Sequence, residues 1–140
     1  MTSGRYVLDA SIFGPIILPD EASVHIEQMR DIVTTGDNIV PAHWSLEVAN
    51  MGRMAVIRNR LTQPQLEQNL KAVSLFPIII DADTASNAWG STLALAVKHG
   101  LTLYDAAYLE LAIRTERVLV SFDAALIAAA TEENVKVITA

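Results

Sequence analysis

Residues Leu101–Asp123, LTLYDAAYLELAIRTERVLVSFD, read as a helix running into a strand. Tyr104–Thr115 has no proline or glycine and offers Leu109 and Ala112 as a face that can pack on a sheet. Val118–Ser121 is a short apolar run of strand type. Asp105 stands at the start of the helix and Asp123 just past the end of the strand. Each has an ordinary explanation, as a helix-terminal charge or as a turn residue. A buried helix feeding a short apolar strand is half of a β-α-β unit, and this decides how the rest of the chain is read.

The same alternation continues outward. Arg5–Leu8 is a short buried strand ending at Asp9, followed by a short helix over Ala10–Phe13 that Gly14-Pro15 bends or stops. Asp20 is placed to cap a helix over Ala22–Thr35, with Val24, Met29, Ile32 and Val33 on its apolar face. Gly36-Asp37-Asn38 forms a turn, Asn38–Val40 a strand closed by Pro41, and Ala42–Arg60 a proline-free helix. Thr62 caps a helix that carries Pro64 in its first turn and runs to about Ser74. Pro77–Ile80 reads as a buried strand ending at Asp81. Asp83 caps a helix from Thr84 to His99, which Gly100 terminates. After Asp123 come an alanine-rich helix over Ala124–Thr131 and a last strand over Val135–Ile138. The pattern predicts one α/β domain over residues 1–140, an α/β/α sandwich with a mostly parallel sheet of four to five short strands.

The composition agrees with a packed core. The chain has 140 residues, of which 51% are apolar, and no run reaches the roughly 20 apolar residues a membrane span needs. Asp9 interrupts any N-terminal signal-like stretch, so the expectation is a soluble, cytoplasmic protein. Cysteine is absent, which excludes disulfides, thiolate metal sites and cysteine nucleophiles. The net charge of −6, from 16 acids against 10 bases, excludes a surface coated with basic residues for nucleic acid. It leaves a nucleic-acid enzyme open, because cations held by clustered acids offset formal charge. So much apolar surface is accounted for either by a rich core or by a partner that covers part of it.

In a parallel sheet the working crevice lies at the carboxyl ends of the strands, and Asp9 and Asp123 are both placed there. Glu47 joins them from the Ala42–Arg60 helix, on a stripe with Met51, Met54 and Arg58 and with Asn50 beside it. Taken alone, Glu47 is a glutamate that reaches solvent or pairs with a base. Taken together, Asp9, Glu47, Asp105 and Asp123 cannot all stay ionised at close quarters without compensation. No lysine or arginine adjoins any of the four in sequence. A divalent cation is the natural compensation, and an all-oxygen donor set favours Mg²⁺ or Mn²⁺.

Four local patterns carry a resemblance: VLDASIF around Asp9, PAHWSLEVAN around Glu47, LTLYDAAYLELA around Asp105 and LVSFDAAL around Asp123. In order, spacing and total length the chain resembles a PIN-domain nuclease, specifically the VapC toxins of bacterial and archaeal toxin–antitoxin pairs. The resemblance implies metal-dependent cleavage of RNA phosphodiester bonds by Asp9, Glu47, Asp105 and Asp123, which would hold the metal. It implies hydrogen bonds from Ser11 and Ser121 that orient a ligand or water, although capping and turn roles suit both serines equally. It also implies a homodimer and a cognate antitoxin that occupies the site region.

Other residues carry plainer expectations. Arg53, Arg58 and Arg60 form the one local basic cluster, for RNA phosphate, an acidic partner or simply solvent. His99 suits a helix C-terminus, His43 a helix cap, the surface or the mouth of the site, and Trp44 a packing or partner contact. Trp89, Leu93 and Ala96 share a face that is core or dimer surface; Asp81 and Asp83 suit turns and caps; Glu110 and Glu116 suit solvated helix positions. Two rival functions follow from the same acids. One is a receiver-like phospho-accepting domain, which calls for a lysine just after a late strand, facing the acids; none stands there. The other is a PIN-like module that binds without turnover.

Overall fold

The computed structural model describes residues 4–21 and 26–139. β1 (Arg5–Leu8), β2 (Asp37–Val40), β3 (Ile78–Ile80), β4 (Val118–Val120) and β5 (Val137–Ile138) form one sheet in the order β3-β2-β1-β4-β5. Every pairing is parallel, with Tyr6 opposite both Asn38 and Val118. The expected mostly parallel sheet is therefore wholly parallel and five-stranded. Because β1 is central and β4 lies beside it, Asp9 and the residues after Val120 emerge next to each other; the Asp9 N–H donates to the Val120 carbonyl at 3.0 Å.

The helices are α1 (Gly14–Ile17), α2 (Ile26–Thr35), α3 (Trp44–Ile57), α4 (Gln63–Val73), α5 (Thr84–Asn87), α6 (Leu93–His99), α7 (Leu103–Thr115) and α8 (Ala124–Glu132). Gly14-Pro15 does not stop the chain's first helical segment. It opens α1 directly after a 3₁₀ turn over Ala10–Phe13, since a proline in a first turn lacks only an N–H that would have no partner there. Asp20 lies in a 3₁₀ turn over Pro19–Glu21, and its carboxylate takes the Arg60 guanidinium at 2.9 Å; the helix start it was expected to cap lies outside the described residues. Val24 and His25 lie outside the described residues.

α4 begins as its sequence predicts. Thr62 Oγ1 accepts from the Gln65 N–H at 3.2 Å and Gln65 Oε1 accepts from the Thr62 N–H at 3.0 Å, a reciprocal capping box. The expected single helix from Thr84 to His99 is instead α5 and α6 joined by a π-helical stretch over Ala88–Thr92, with Gly90 at its centre. Glycine weakens the regular ladder where that wider turn forms. Asp83 makes no side-chain cap bond. Gly100 ends α6 with φ +65°, the left-handed conformation that glycine adopts without strain.

α7 is buried nearly all round, from Ala106 through Ala112, and packs against β1 and β4. With it in the core lie Val7, Leu8, Phe13, Leu119 and Val120. Trp44 closes one end, its ring edge-on to Phe13 with centroids 5.2 Å apart. Two expectations fail here. β3 is not a buried strand: it is the sheet's edge, hydrogen-bonded to β2 alone, and Ile79 is 60% exposed. Glu110 is not solvated: it is buried and holds Arg114, which also grips Asp81. Among the described residues no helix is long and apolar enough to cross a membrane.

Candidate active site

Asp9, Glu47, Asp105 and Asp123 line one cavity of about 350 Å³, together with Ala10, Ser11, Asn50 and Met51. Each arrives by a different route. Asp9 follows the last residue of β1, and Asp123 precedes α8 after β4 has ended. Glu47 sits in the first turn of α3, which starts where Pro41 ends β2 and Trp44 plugs into the core. Asp105 sits in the first turn of α7, where Thr102, not Asp105, is the cap: Thr102 Oγ1 accepts from the Asp105 N–H at 3.1 Å. The Asp105 carboxylate is thereby free of capping duty and faces the cavity.

Asp9 is the buried member. Its Oδ2 accepts from Ser11 Oγ at 2.6 Å and from Ser121 Oγ at 2.7 Å. Each hydroxyl in turn accepts a backbone N–H, Ser11 from Phe122 and Ser121 from Asp123, both at 3.0 Å. The two serines thus stitch the end of β1 to the loop after β4 and fix which way Asp9 faces. Burial pushes the Asp9 carboxyl up, the two serine bonds oppose this, and the charges of Glu47 and Asp123 push it up again; the net direction is upward. Asp105 is also raised, by burial first and then by Asp123 and Asp9, with His43 and Thr102 opposing. Asp9 thus senses Glu47 and Asp123, and Asp105 senses Asp123 and Asp9.

Glu47 has a partner that sequence reading passed over. Tyr108 is fully buried, and its hydroxyl donates to Glu47 Oε1 at 2.6 Å. Burial and then Glu47 hold the Tyr108 phenol far above its ordinary range, so it remains a donor. The signal was present: Tyr108 lies three residues after Asp105, on the same helix face. His43 Nε2 stands 3.3 Å from the same Glu47 oxygen and 3.0 Å from the Tyr104 carbonyl. Both neighbours are acceptors, so Nε2 carries a proton. His43 is thus at the site's margin; it also stands at the N-cap position of α3, where its side chain makes no cap bond.

The basic cluster does not line this cavity. Arg60 is engaged by Asp20 and Glu21, while Arg53 and Arg58 are exposed. Asp81 does not line the cavity: it is buried, ion-paired with Arg114 at 2.7 Å, and accepts from the Asp83 N–H and from Thr84. His99 at the end of α6 meets Glu132 at 2.9 Å and Glu133 at 2.7 Å.

No lysine, arginine or histidine is among the residues lining the cavity. Its donor set is all hard oxygen, and two of its carboxyls are raised partly by their neighbours' charge, so its chemistry suits a divalent cation. Among the described residues, however, no three acids or histidines are already gathered closely enough to hold one ion. Glu47, Asp105 and Asp123 are only half-buried.

No protein-family model matches the chain. A ribonuclease VapC3 from Pyrobaculum aerophilum is 28% identical over 120 residues, 85% of this chain and 89% of that protein. The crystal structure of PAE2754, also from Pyrobaculum aerophilum, superposes with a TM-score of 0.71 at 22% identity, covering 97% of this chain and 89% of that one. A toxin–antitoxin complex from Klebsiella pneumoniae contains a chain that superposes with a TM-score of 0.57 at 20% identity, covering 85% and 87%. The resemblance carried by four short motifs thus extends along most of the molecule: the fold is PIN-like, and the sequence is similar to that of a VapC ribonuclease.

Proposed function

We propose that the chain is a metal-dependent endoribonuclease toxin of the VapC type. The observation that carries this is the cavity in which four carboxylates from β1, α3, α7 and the loop before α8 meet with no cationic side chain among them. Similarity to a VapC ribonuclease over most of both chains supports RNA as the substrate. Asp9, Glu47, Asp105 and Asp123 would hold Mg²⁺ or Mn²⁺. When bound, such a cation lowers the pKa of a water and stabilises charge on a phosphodiester. The chain's own residues supply the rest. Ser11 and Ser121 hold Asp9, Tyr108 holds Glu47, and Thr102 relieves Asp105 of capping.

The reading extends to a single cytoplasmic domain that forms a homodimer and is silenced by a cognate antitoxin; structural likeness to a chain of a toxin–antitoxin complex supports the partner. RNA cleavage with Mg²⁺ or Mn²⁺, with and without chelator, tests the activity. Wild type cleaves only with metal, and Asp9→Asn does not cleave. Equal cleavage by both proteins sinks the proposal. A second reading, a PIN-like module that binds without turnover, draws on the absence of any three acids gathered about one point among the described residues. Metal-dependent turnover by the wild type eliminates it.

A further inference from the structure

Beside the acidic cavity lies a second one of about 300 Å³, lined by His43, Leu46, Glu47, Asn50 and Tyr104. The two cavities share Glu47 and Asn50, so they are adjoining parts of one depression. Their chemistry differs sharply. The first is a ring of acids. The second, beyond the shared Glu47 and Asn50, presents an aromatic ring, an aliphatic side chain and an imidazole.

Tyr104 is 65% exposed although it is a large aromatic residue, and Leu46 is exposed across from it. Tyr104 is not loosely placed. Its carbonyl meets His43 Nε2 at 3.0 Å, and its ring meets the His43 ring with centroids 5.7 Å apart at an interplanar angle of 61°. His43 is itself braced edge-on against buried Tyr108, at 5.4 Å. The ring is therefore a supported platform, and it belongs to the residue directly before Asp105.

We propose that this second cavity is a nucleobase subsite, in which a base of single-stranded RNA next to the scissile phosphate stacks on Tyr104 with Leu46 at its edge. The inference rests on the nuclease reading above. A strand whose phosphate is held among the four acids must pass its neighbouring bases over the adjoining surface, and here that surface is an aromatic ring. Stacking on an aromatic side chain is the sequence-tolerant way proteins hold unpaired bases. Asn50, exposed and shared by both cavities, offers an amide donor and an amide acceptor to a base edge.

The test uses labelled RNA oligonucleotides of A, C, G or U alone, titrated by fluorescence anisotropy against the full chain carrying Asp9→Asn, which stops cleavage. In that background Tyr104→Ala and Tyr104→Leu weaken binding of the tightest oligonucleotide about five- to a hundredfold, and Tyr104→Phe keeps it. Thermal unfolding of each variant shows whether the fold survives; Tyr104→Leu preserves bulk and apolarity, so its loss reports stacking and not packing. Unchanged affinity in both Tyr104→Ala and Tyr104→Leu overturns the inference. So does a change in oligomeric mass with RNA affinity intact, which would give the surface to a protein contact. If the wild type cleaves RNA and the variants cleave equally well, the subsite alone falls. If the wild type neither binds nor cleaves any RNA, the nuclease reading falls and takes the subsite with it.

Discussion

Tyr108 and Glu47 show how a single hydrogen bond can set a carboxylate. The phenol is sealed in the core, its O–H has Glu47 Oε1 at 2.6 Å, and its ring cannot turn away without opening α7 against β1. Tyr108→Phe keeps the ring and deletes only the donor. The expected cost in stability is about 1.5–3 kcal/mol, the range for a bond to a charged acceptor, and chemical denaturation measures it. Isothermal titration with Mn²⁺ should show weaker binding, because Glu47 then has a choice of orientations. The residue was quoted in the LYDAAYLELA motif yet given no role, since tyrosine in a helix reads first as packing. The serines were easier to read. Ser11 and Ser121 stand two residues from acids at strand ends, and the structure has both donating to one oxygen of Asp9.

At the scale of elements, Arg114 ties α7 to the edge of the sheet. From the last turn of α7 it reaches Glu110 on its own helix and Asp81 at the end of β3, and all three side chains are largely withdrawn from water. Removing one member leaves the others unpaired. Arg114→Met should destabilise the fold by about 3 kcal/mol, the low end for buried pairs because Arg114 is 27% exposed. The effect depends on pH in a definite direction. Burial works to raise the Asp81 carboxyl, but Arg114, the Asp83 N–H and Thr84 outweigh it and hold it below the usual 3.8. A depressed carboxyl contributes its stability above the unfolded value and loses it as pH falls through the folded one. The gap between wild type and Arg114→Met therefore narrows as the pH drops below about 4, and acid titration of the unfolding midpoint reads it.

Whole-molecule features were legible in proportion to how local their causes are. Alternation of apolar runs with capped helices predicted a parallel α/β sheet, because periodicity and caps are written within a few residues. Burial of β3 and solvation of Glu110 were misjudged for one shared reason. An Ile-Ile-Ile run looks the same at an edge as in a centre, and a helical glutamate looks solvated until a distant arginine is found beside it. That Asp9 and Asp123 emerge side by side was inferable from strand-end placement, whereas the second cavity depends on how α3 and α7 lie together, which no window of sequence contains. The surface also retains apolar groups in excess of what the core takes up. Trp89 is 91% exposed and shares the four-residue spacing of Leu93 and Val97, both exposed too. Trp89 is thus not core, and the dimer surface remains as the other expectation for it. If that face joins two copies, Trp89→Glu halves the mass in sedimentation while thermal unfolding of the monomer is little changed; a wild type already monomeric removes the face from the account.

The stitch from Ser121 to Asp9 spans 112 positions of chain. A polypeptide emerging from the ribosome has Asp9 and Glu47 exposed long before Ser121, Asp123 and β4 exist to complete the cavity. Synthesis is vectorial, and contacts between the two ends of a chain close last. The four acids therefore line one cavity only after β4 and the loop that follows it have been made and have docked beside β1.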